Sequence, residues 1–262
     1  MKAMTPQDRA TTSIDTAVPV TADQFRARRR RLILICSGVA VALAGLTYLS
    51  YRHLMDPIHA REAYDDAKRL AATTRYSQSI LAATRAIALN PSYADAYFLR
   101  GQTYAEQREL DRAEADFTAL TKLEPRNARA YAGRCAIRFE YRDYQGAIND
   151  CGKAIQFDAS IPRAYNIRGI ARRAQNDLQG SLADLSHAVE LSPDIENLFQ
   201  RAATLRAMND YKGAISDFDH AASLYQGNPE VYRARAEAKR AMGDEKGALE
   251  DYALSNAIEH RQ

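Results

Sequence analysis

Apolar residues return at three- and four-residue spacing in two short stretches of residues 94–127, on either side of a polar break at Arg108 and Glu109. This spacing predicts two amphipathic helices, because side chains three and four residues apart share one face of a helix. Pro125 cannot continue the second helix, so the unit is a helical hairpin that ends there. A single hairpin cannot bury both apolar faces, so we expect it to pack against neighbouring hairpins.

The same pattern recurs along most of the chain, with a period of 34 residues and one step of 33. The copies begin at Ala60, Ala94, Ala128, Pro162, Ile195 and Pro229. The predicted repeats are therefore 60–93, 94–127, 128–161, 162–194, 195–228 and 229–262. A period of this length is typical of arrays in which each unit contacts only its neighbours.

Two columns of equivalent positions hold a small residue in every copy. The column in the first helix is Ala67, Gly101, Cys135, Gly169, Ala202 and Ala236. The column in the second helix is Ser79, Ala113, Ala147, Ser181, Ala214 and Ala248. Small residues on facing helices allow a close approach, so we expect these columns to meet inside each hairpin.

The unit resembles the tetratricopeptide repeat family. The aromatic and glycine pattern of that family's first helix, its Ala-x3-Phe step and its closing proline are matched by Tyr97, Gly101, Tyr104, Ala113, Phe117 and Pro125. The resemblance covers residues 60–262. It implies an all-α fold, a right-handed α-solenoid of six helix-turn-helix repeats, and binding of protein without covalent chemistry.

A basic run at residues 26–31 is followed directly by 20 uncharged residues, 32–51. A helix of this length spans about 30 Å, enough to cross a hydrocarbon core. We predict an uncleaved signal anchor, a single transmembrane helix whose arginine flank keeps the N-terminus in the cytoplasm. The alternative is a signal peptide, whose apolar core is usually about 7–15 residues long. Cleavage would then leave a secreted soluble repeat protein.

The segments around the apolar run complete the predicted order of domains. Residues 1–31 are predicted to be a disordered, basic cytoplasmic tail. Residues 52–59 are predicted to be a short linker, in which Asp56 and Pro57 begin the first helix of the array. The array, 60–262, would then lie in the periplasm of a bacterium whose inner membrane holds residues 32–51.

The basic charge of the chain belongs to its N-terminal tail. Residues 1–31 contain seven lysines and arginines against three aspartates, which gives a net charge of +4, whereas the whole chain carries +3. The rest of the chain therefore carries −1. This balance gives no electrostatic reason to expect nucleic acid as a partner.

No catalytic, cofactor or metal constellation is recognisable, so we expect no enzyme activity and no cofactor. The five histidines are scattered, without metal-ligand spacing on one helix, and no glycine-rich phosphate loop is present. Cys135 and Cys151 replace core residues of the third repeat. If Cys135 faces Ala147, Cys151 lies about 9 Å away between Cα atoms, too far for a disulfide. We therefore expect two buried thiols, with a disulfide as the alternative.

The resemblance places the first helix of each hairpin along a concave groove that binds a peptide or protein segment. The predicted groove residues are Tyr64, Phe98, Arg129, Arg163, Asn166, Arg173, Phe199, Arg206, Arg233 and Arg240. The aromatic members would be apolar anchors, and the arginines of the C-terminal half would favour an acidic segment. The alternative is that these arginines form a solvated face.

One binding mode of the family is not matched. Its chaperone-binding members hold a C-terminal carboxylate with two asparagines and two lysines or arginines spread over three consecutive repeats. In the first repeat, Tyr64 and Lys68 stand where a lysine and an asparagine would be needed. Asn166 lies one place from such a position and has no companions.

A second pattern predicts ion pairs within the hairpins of repeats two to six. An arginine just before the small residue of the first helix accompanies an aspartate just before the large residue of the second helix. The pairs are Arg100 with Asp116, Arg134 with Asp150, Arg168 with Asp184, Arg201 with Asp217, and Arg235 with Asp251. The first repeat has Asp66 and Ala82 there. A role for these arginines in the groove is the alternative.

Together these features predict a membrane-anchored scaffold for protein–protein interaction. The alternatives are a periplasmic chaperone, an accessory subunit of an envelope enzyme or secretion complex, and the secreted soluble protein. The array ends without an extra capping helix. Self-association through Leu249, Tyr252 and Ile258 is therefore one hypothesis, and solubilisation of that end by Glu245, Asn256 and Glu259 is the other.

Overall fold

A computed structural model describes residues 22–260, and this part of the chain is entirely helical, without a strand. The chain divides into two units, residues 1–55 and 56–262, and the repeats belong to the second. The helices are α1 (Ala22–Ala72), α2 (Tyr76–Leu89), α3 (Ala94–Glu106), α4 (Leu110–Leu123), α5 (Ala128–Glu140), α6 (Tyr144–Phe157), α7 (Pro162–Ala174), α8 (Leu178–Leu191), α9 (Ile195–Ala207), α10 (Tyr211–Leu224), α11 (Pro229–Ala241) and α12 (Glu245–Glu259).

The helices form an all-α repeat solenoid. The five first helices α3, α5, α7, α9 and α11 begin at the residues where the sequence period begins. Within a repeat the two helices pack on each other, and the second helix also packs on the first helix of the following repeat. The apolar stripe of each hairpin is buried by this stacking, as expected for a unit that cannot be stable alone.

Helix α1 differs from the predicted N-terminal organisation. It begins at Ala22 and continues through residues 52–59, with Pro57 inside it. Residues 22–31 and 52–59 are therefore helical. Residues 1–21 of the predicted tail lie outside the described residues.

Within the part of the chain that the structure describes, no helix is both long enough and apolar enough to cross a membrane.

The turn inside each hairpin uses one residue in the left-handed backbone region. These residues are Thr74, Arg108, Arg142, Asn176, Asn209 and Gly243, all with positive φ. In repeats three to six an aspartate then caps the second helix. Asp143, for example, accepts a hydrogen bond of 2.9 Å from the backbone N–H of Gly146. A Cβ on Gly146 would lie 2.0 Å from the Asp143 carboxylate, so the cap explains the glycine.

Both small-residue columns are buried inside the hairpins. Ala113, Ala147, Ala202, Ala214 and Ala236 are fully buried. Within repeat two, a Cβ on Gly101 would lie 3.1 Å from the ring of Phe117, the residue 16 positions later. Between repeats two and three, a Cβ on Gly133 would lie 2.6 Å from the same ring, which is only 2% exposed. Small residues therefore set the distance between helices, and large residues such as Phe117 fill the space that remains.

The third repeat contains a disulfide, which corrects the expectation of two buried thiols. Cys135 and Cys151 are bonded, and their Cα atoms lie 5.4 Å apart instead of about 9 Å. The physical reason is the offset between the antiparallel helices. A residue of the first helix faces the residue 16 positions later, the same offset that joins Arg134 to Asp150. Cys135 was instead placed opposite Ala147, only 12 positions later.

The last repeat is partly polar at its outer face. Glu245 and Asn256 are exposed at positions where the preceding repeats carry Tyr211 and Ala222, which are half-buried and buried. Leu249 remains 64% exposed, whereas Tyr252 and Ile258 are half-buried. Leu254 on the same helix is 48% exposed, so α12 combines two exposed leucines with charged and amide side chains.

Candidate functional site

The first helices lie side by side, since α3 contacts α5, α5 contacts α7, and α7 contacts α9. The predicted groove residues stand on these helices, on α1 and on α11. Some of these side chains already pack against, or bond to, other residues of the protein, whereas others are more exposed.

The N-terminal aromatic residues are half-buried against a second aromatic ring of their own repeat. The ring of Tyr64 lies 5.1 Å from that of Tyr93, and the ring of Phe98 lies 6.0 Å from that of Phe117. Burial, followed by the charge of Asp95, raises the pKa of the Tyr64 hydroxyl. These residues therefore offer only one side to a ligand, because their other side already packs within the repeat.

Arg129 covers part of the Phe98 ring. Its guanidinium carbon lies 4.2 Å from the ring centroid, and the same guanidinium lies 3.3 Å from the Asp95 carboxylate. A cation over an aromatic face is stabilising. Arg129 and Phe98 thus form one combined surface at the edge of the groove, whereas Arg163 is exposed.

Asn166 is engaged in packing between repeats, and Phe199 in packing within its own repeat. Asn166 is 8% exposed and donates a hydrogen bond of 2.7 Å to the side-chain oxygen of Asn197. The amide of Asn197 in turn donates to the carbonyl of Ser192. The ring of Phe199 meets that of Phe218 edge-on at 5.2 Å. Asn166 therefore joins repeats four and five, which leaves it little capacity to bind a ligand.

Besides Arg129, three further predicted groove arginines are paired with carboxylates. Arg206 lies 3.3 Å from Glu237, Arg233 bonds to Glu259, and Arg240 lies 3.7 Å from Glu245. Arg240 also lies over the ring of Tyr252. The structure does not present these arginines as unpaired charges, and a ligand carboxylate would have to share or displace an existing partner.

Arg173 differs from these three. Its guanidinium donates to the backbone carbonyl of Gln200 at 2.8 Å, to the side-chain oxygen of Gln200 at 2.7 Å, and to the Thr204 hydroxyl at 3.1 Å. Burial lowers the pKa of Arg173. All these acceptors are neutral, so the hydrogen bonds orient the cation without neutralising its charge.

Each of the five arginines in the ion-pair pattern bonds to the aspartate 16 residues later. The shortest N···O distances are 2.7 Å for Arg100–Asp116, 2.7 Å for Arg134–Asp150, 2.6 Å for Arg168–Asp184, 2.5 Å for Arg201–Asp217 and 2.6 Å for Arg235–Asp251. Both carboxylate oxygens accept, so the pairs are bidentate forks. The five aspartates are buried. The hydrogen bonds to these carboxylates raise the pKa of Arg100, Arg134, Arg201 and Arg235.

A second cation that the sequence analysis missed reaches three of the aspartates. Arg138 lies 2.9 Å from Asp150, Arg172 lies 2.7 Å from Asp184, and Lys239 lies 2.8 Å from Asp251. Each stands four residues after the paired arginine and therefore on the same helix face. This spacing of four residues could have been recognised in the sequence. In repeats two and five the position holds Tyr104 and Leu205, and there, among the residues that the structure describes, the aspartate bonds to one cation only.

A model of the tetratricopeptide repeat matches residues 82–115. That match supports the tetratricopeptide repeat family. No curated protein matches the sequence.

Several solved structures share the fold of these tetratricopeptide-like repeats. The structure described as YrrB, a TPR protein with an unusual peptide-binding site, is 22% identical with a TM-score of 0.59, over 67% of this chain and 91% of its own. PilF of Pseudomonas aeruginosa is 16% identical with a TM-score of 0.65, over 75% and 90%. PilW, described as a widely conserved type IV pilus biogenesis factor, is 17% identical with a TM-score of 0.68, over 76% and 92%. At these identities the likeness concerns the fold alone.

Among residues 22–260 no group of three or more His, Cys, Asp or Glu side chains could hold a metal ion. The arrangement of the tetratricopeptide-like repeats offers instead a row of half-buried aromatic side chains and one oriented cation.

Proposed function

We propose that this chain is a membrane-anchored scaffold that binds a protein or peptide segment in the groove formed by its first helices. The observation that carries this proposal is Arg173, a cation oriented by three hydrogen bonds to neutral groups. Such a cation attracts a carboxylate without first losing an internal partner. The bound segment would therefore be acidic where it passes repeats four and five, with Phe98 and Tyr64 contacting its apolar part.

The proposed anchor is the uncharged run 32–51, which directly follows the arginines of residues 26–31. Large apolar side chains of this run are exposed on α1, among them Val41, Leu46 and Leu49. An exposed apolar surface of this kind needs a lipid or protein environment. The arginines would keep the N-terminus in the cytoplasm and the repeats on the opposite side.

The disulfide supports the same placement through independent chemistry. Bonds such as Cys135–Cys151 persist in oxidising compartments and are rare where thiols are kept reduced. A bacterial periplasm meets this condition. We therefore propose the periplasmic side of the inner membrane for the array.

The test of groove binding is in-cell crosslinking from a photoreactive residue at Phe98 and at Arg206, with Glu250 on α12 as the control position outside the groove. The same experiment is repeated in an Arg173→Gln background. We expect adducts with another protein at both groove positions, no such adduct at Glu250, and a clear loss of adduct at Arg206 when Arg173 is replaced. Adducts with another protein only at Glu250 would contradict the proposed groove.

The identity of the adducts distinguishes a scaffold from a chaperone. One dominant partner at both positions indicates a dedicated scaffold or an accessory subunit, whereas a broad set of exported proteins indicates a chaperone. The anchor is tested separately by the mass of the mature chain. An intact N-terminus supports the anchor, and a terminus between about residues 45 and 60, where a signal peptide would be removed, supports a secreted protein.

A further inference from the structure

The second helix of each repeat covers the first helix of the next along one set of positions. This holds for α2 on α3, α4 on α5, α6 on α7, α8 on α9 and α10 on α11. Across one such junction Arg138 donates a hydrogen bond of 3.2 Å to Glu114. Across another, Arg100 donates a hydrogen bond of 2.9 Å to Thr84. These contacts define which positions meet whenever one repeat follows another.

The first repeat has no repeat before it, and its corresponding surface is open. A pocket of about 820 Å³ lies between α1 and α2, and its floor includes Ala63, Leu70 and Ala82. Leu81 borders the pocket and is 72% exposed. Leu70 occupies the position that Arg138 has in the third repeat. The arginine–aspartate pair that fills this region in the other five repeats is absent, because Asp66 and Ala82 stand in its place.

The rim of this pocket is positively charged. Arg69, Arg75 and Arg85 line it. Arg69 bonds to Asp66, but neither Arg75 nor Arg85 has a carboxylate within ion-pair distance among the described residues. Both are exposed. The open end of the first repeat is therefore apolar at its centre and basic at its edge.

The sixth repeat carries exposed acidic side chains on its second helix, α12. Leu249 on α12 stands at the position of Glu114 and is 64% exposed. At the same position in repeats four and five, Leu182 and Ile215 pack against a core cluster. Glu245 and Glu250 lie on the same helix and are exposed, as is Lys246. This surface therefore places an exposed leucine beside two acidic side chains and one basic side chain.

We propose that the last repeat of one copy docks on the first repeat of a second copy, head to tail. The junction positions defined inside the array would bring Leu249 of one copy to Leu70 of the next. The acidic side chains of α12 would then approach the basic rim formed by Arg75 and Arg85, and complementary charge favours this orientation. A contact of this heterologous kind does not close, so it produces open chains of copies.

This proposal uses the two ends of the array and is independent of the groove. Glu245 and Asn256 make the junction less apolar than those inside the chain. The association is therefore reversible and weakens with salt, since exposed charges are screened. Anchored copies joined in this way would align their grooves along the membrane.

The first test is sedimentation of the full chain in detergent at rising protein concentration. We expect species that grow by one copy at a time, without a stop at the dimer, and smaller species at high salt. Leu249→Glu should weaken the association and raise its dissociation constant about tenfold or more. The matched control is Leu224→Glu, which changes a leucine that is 50% exposed on α10, inside the array, and should leave association unchanged. A chain that is monomeric throughout, or a Leu249→Glu variant that associates like the control, would overturn the proposal.

The second test exchanges the charges of the two ends. One variant carries Arg75→Glu with Arg85→Glu, and the other carries Glu245→Arg with Glu250→Arg. Each alone should remain monomeric, because like charges then meet at every junction. An equal mixture should associate again, because each reversed end meets a complementary end. Circular dichroism of both variants checks the fold, and a mixture that stays monomeric while both variants are folded rules out this junction.

Discussion

Cys135 and Cys151 are bonded across the two helices of the third repeat, with their Cα atoms 5.4 Å apart. Both lie in the innermost layer of the hairpin, where neither is exposed. In neighbouring repeats the same two positions hold Gly101 with Phe117 and Gly169 with Leu185. The third repeat therefore replaces a small-to-large apolar contact with a covalent bond.

Removal of this bond should destabilise the array. A disulfide that closes a loop of about 15 residues stabilises a fold by about 3 kcal/mol in the chain-entropy account, and the separation here is 16. We expect Cys135→Ala with Cys151→Ala to lower the free energy of unfolding by about this amount. Thermal unfolding with and without a reductant measures it. The reductant should lower the melting temperature of the native chain but leave that of the variant unchanged, and equal responses would contradict the bond.

Loss of a buried aspartate should be more damaging where two cations surround it. Asp150 bonds to Arg134 and Arg138, whereas Asp217 bonds to Arg201. Removing one partner of a buried pair costs about 3–5 kcal/mol, because an uncompensated charge remains. We expect Asp150→Asn to cost about 3 kcal/mol and Asp217→Asn to cost less. Chemical denaturation compares them, with Asp66→Asn as the control.

The control removes a carboxylate from an exposed pair, Arg69–Asp66, in the repeat without the buried fork. Exposed ion pairs contribute about 0–1 kcal/mol. A loss at Asp66 as large as that at Asp150 would show that the forks of repeats two to six carry no special stabilisation.

Acid should remove the stabilisation that Asp251 supplies. Burial by itself raises the pKa of its carboxyl group, but hydrogen bonds from Arg235 and Lys239 outweigh burial and bring the pKa below its usual value. A lowered pKa in the folded state stabilises the fold above the unfolded-state pKa, about 3.9 for aspartate, and this effect is lost as the pH falls through the folded-state pKa. The difference in melting temperature between the native chain and Asp251→Asn should therefore be constant near neutral pH and shrink below about pH 4. A difference that grows on acidification would contradict this assignment.

Two glycines in adjacent helices should respond in opposite directions to alanine. At Gly133 a Cβ would lie 2.6 Å from the Phe117 ring, which is 2% exposed, so Gly133→Ala forces the helices apart. Overpacking of this kind costs about 1–3 kcal/mol. At Gly152 the nearest atom is Arg168 Nη1 at 3.7 Å, so Gly152→Ala should gain up to about 1 kcal/mol of helix propensity. Thermal unfolding of both variants measures these changes in stability. Equal changes in melting temperature would contradict the packing described for Gly133.

The repeated architecture could be predicted from the sequence because it depends on local periodicity. Starts of helices at Ala94, Ala128 and Pro162 coincide with the apolar period. The ion-pair pattern was also readable, since Arg100 and Asp116 recur together in five repeats and are both absent from the first. A repeat multiplies each signal, so a pairing that is weak in one copy becomes recognisable in five.

Contacts between helices were harder to predict from the sequence. The prediction that Cys135 faces Ala147 was wrong, although the offset of 16 in the predicted ion pairs would have placed Cys135 opposite Cys151. Arg206 and Arg233 were predicted to be charges available to a ligand, yet Glu237 and Glu259 on other helices bond to them.

The sequence by itself determined the all-helical repeat, the faces that each helix buries and the position of the uncharged run, because these follow from spacing along one chain. Only the tertiary structure decided which polar and charged side chains already have a hydrogen-bond or ion-pair partner. Whether Arg173 bonds to neutral groups while Arg206 meets a carboxylate depends on how neighbouring helices cross, which brings together atoms about thirty residues apart. Helix periodicity assigns a residue to a face, but the partner on that face is selected by packing.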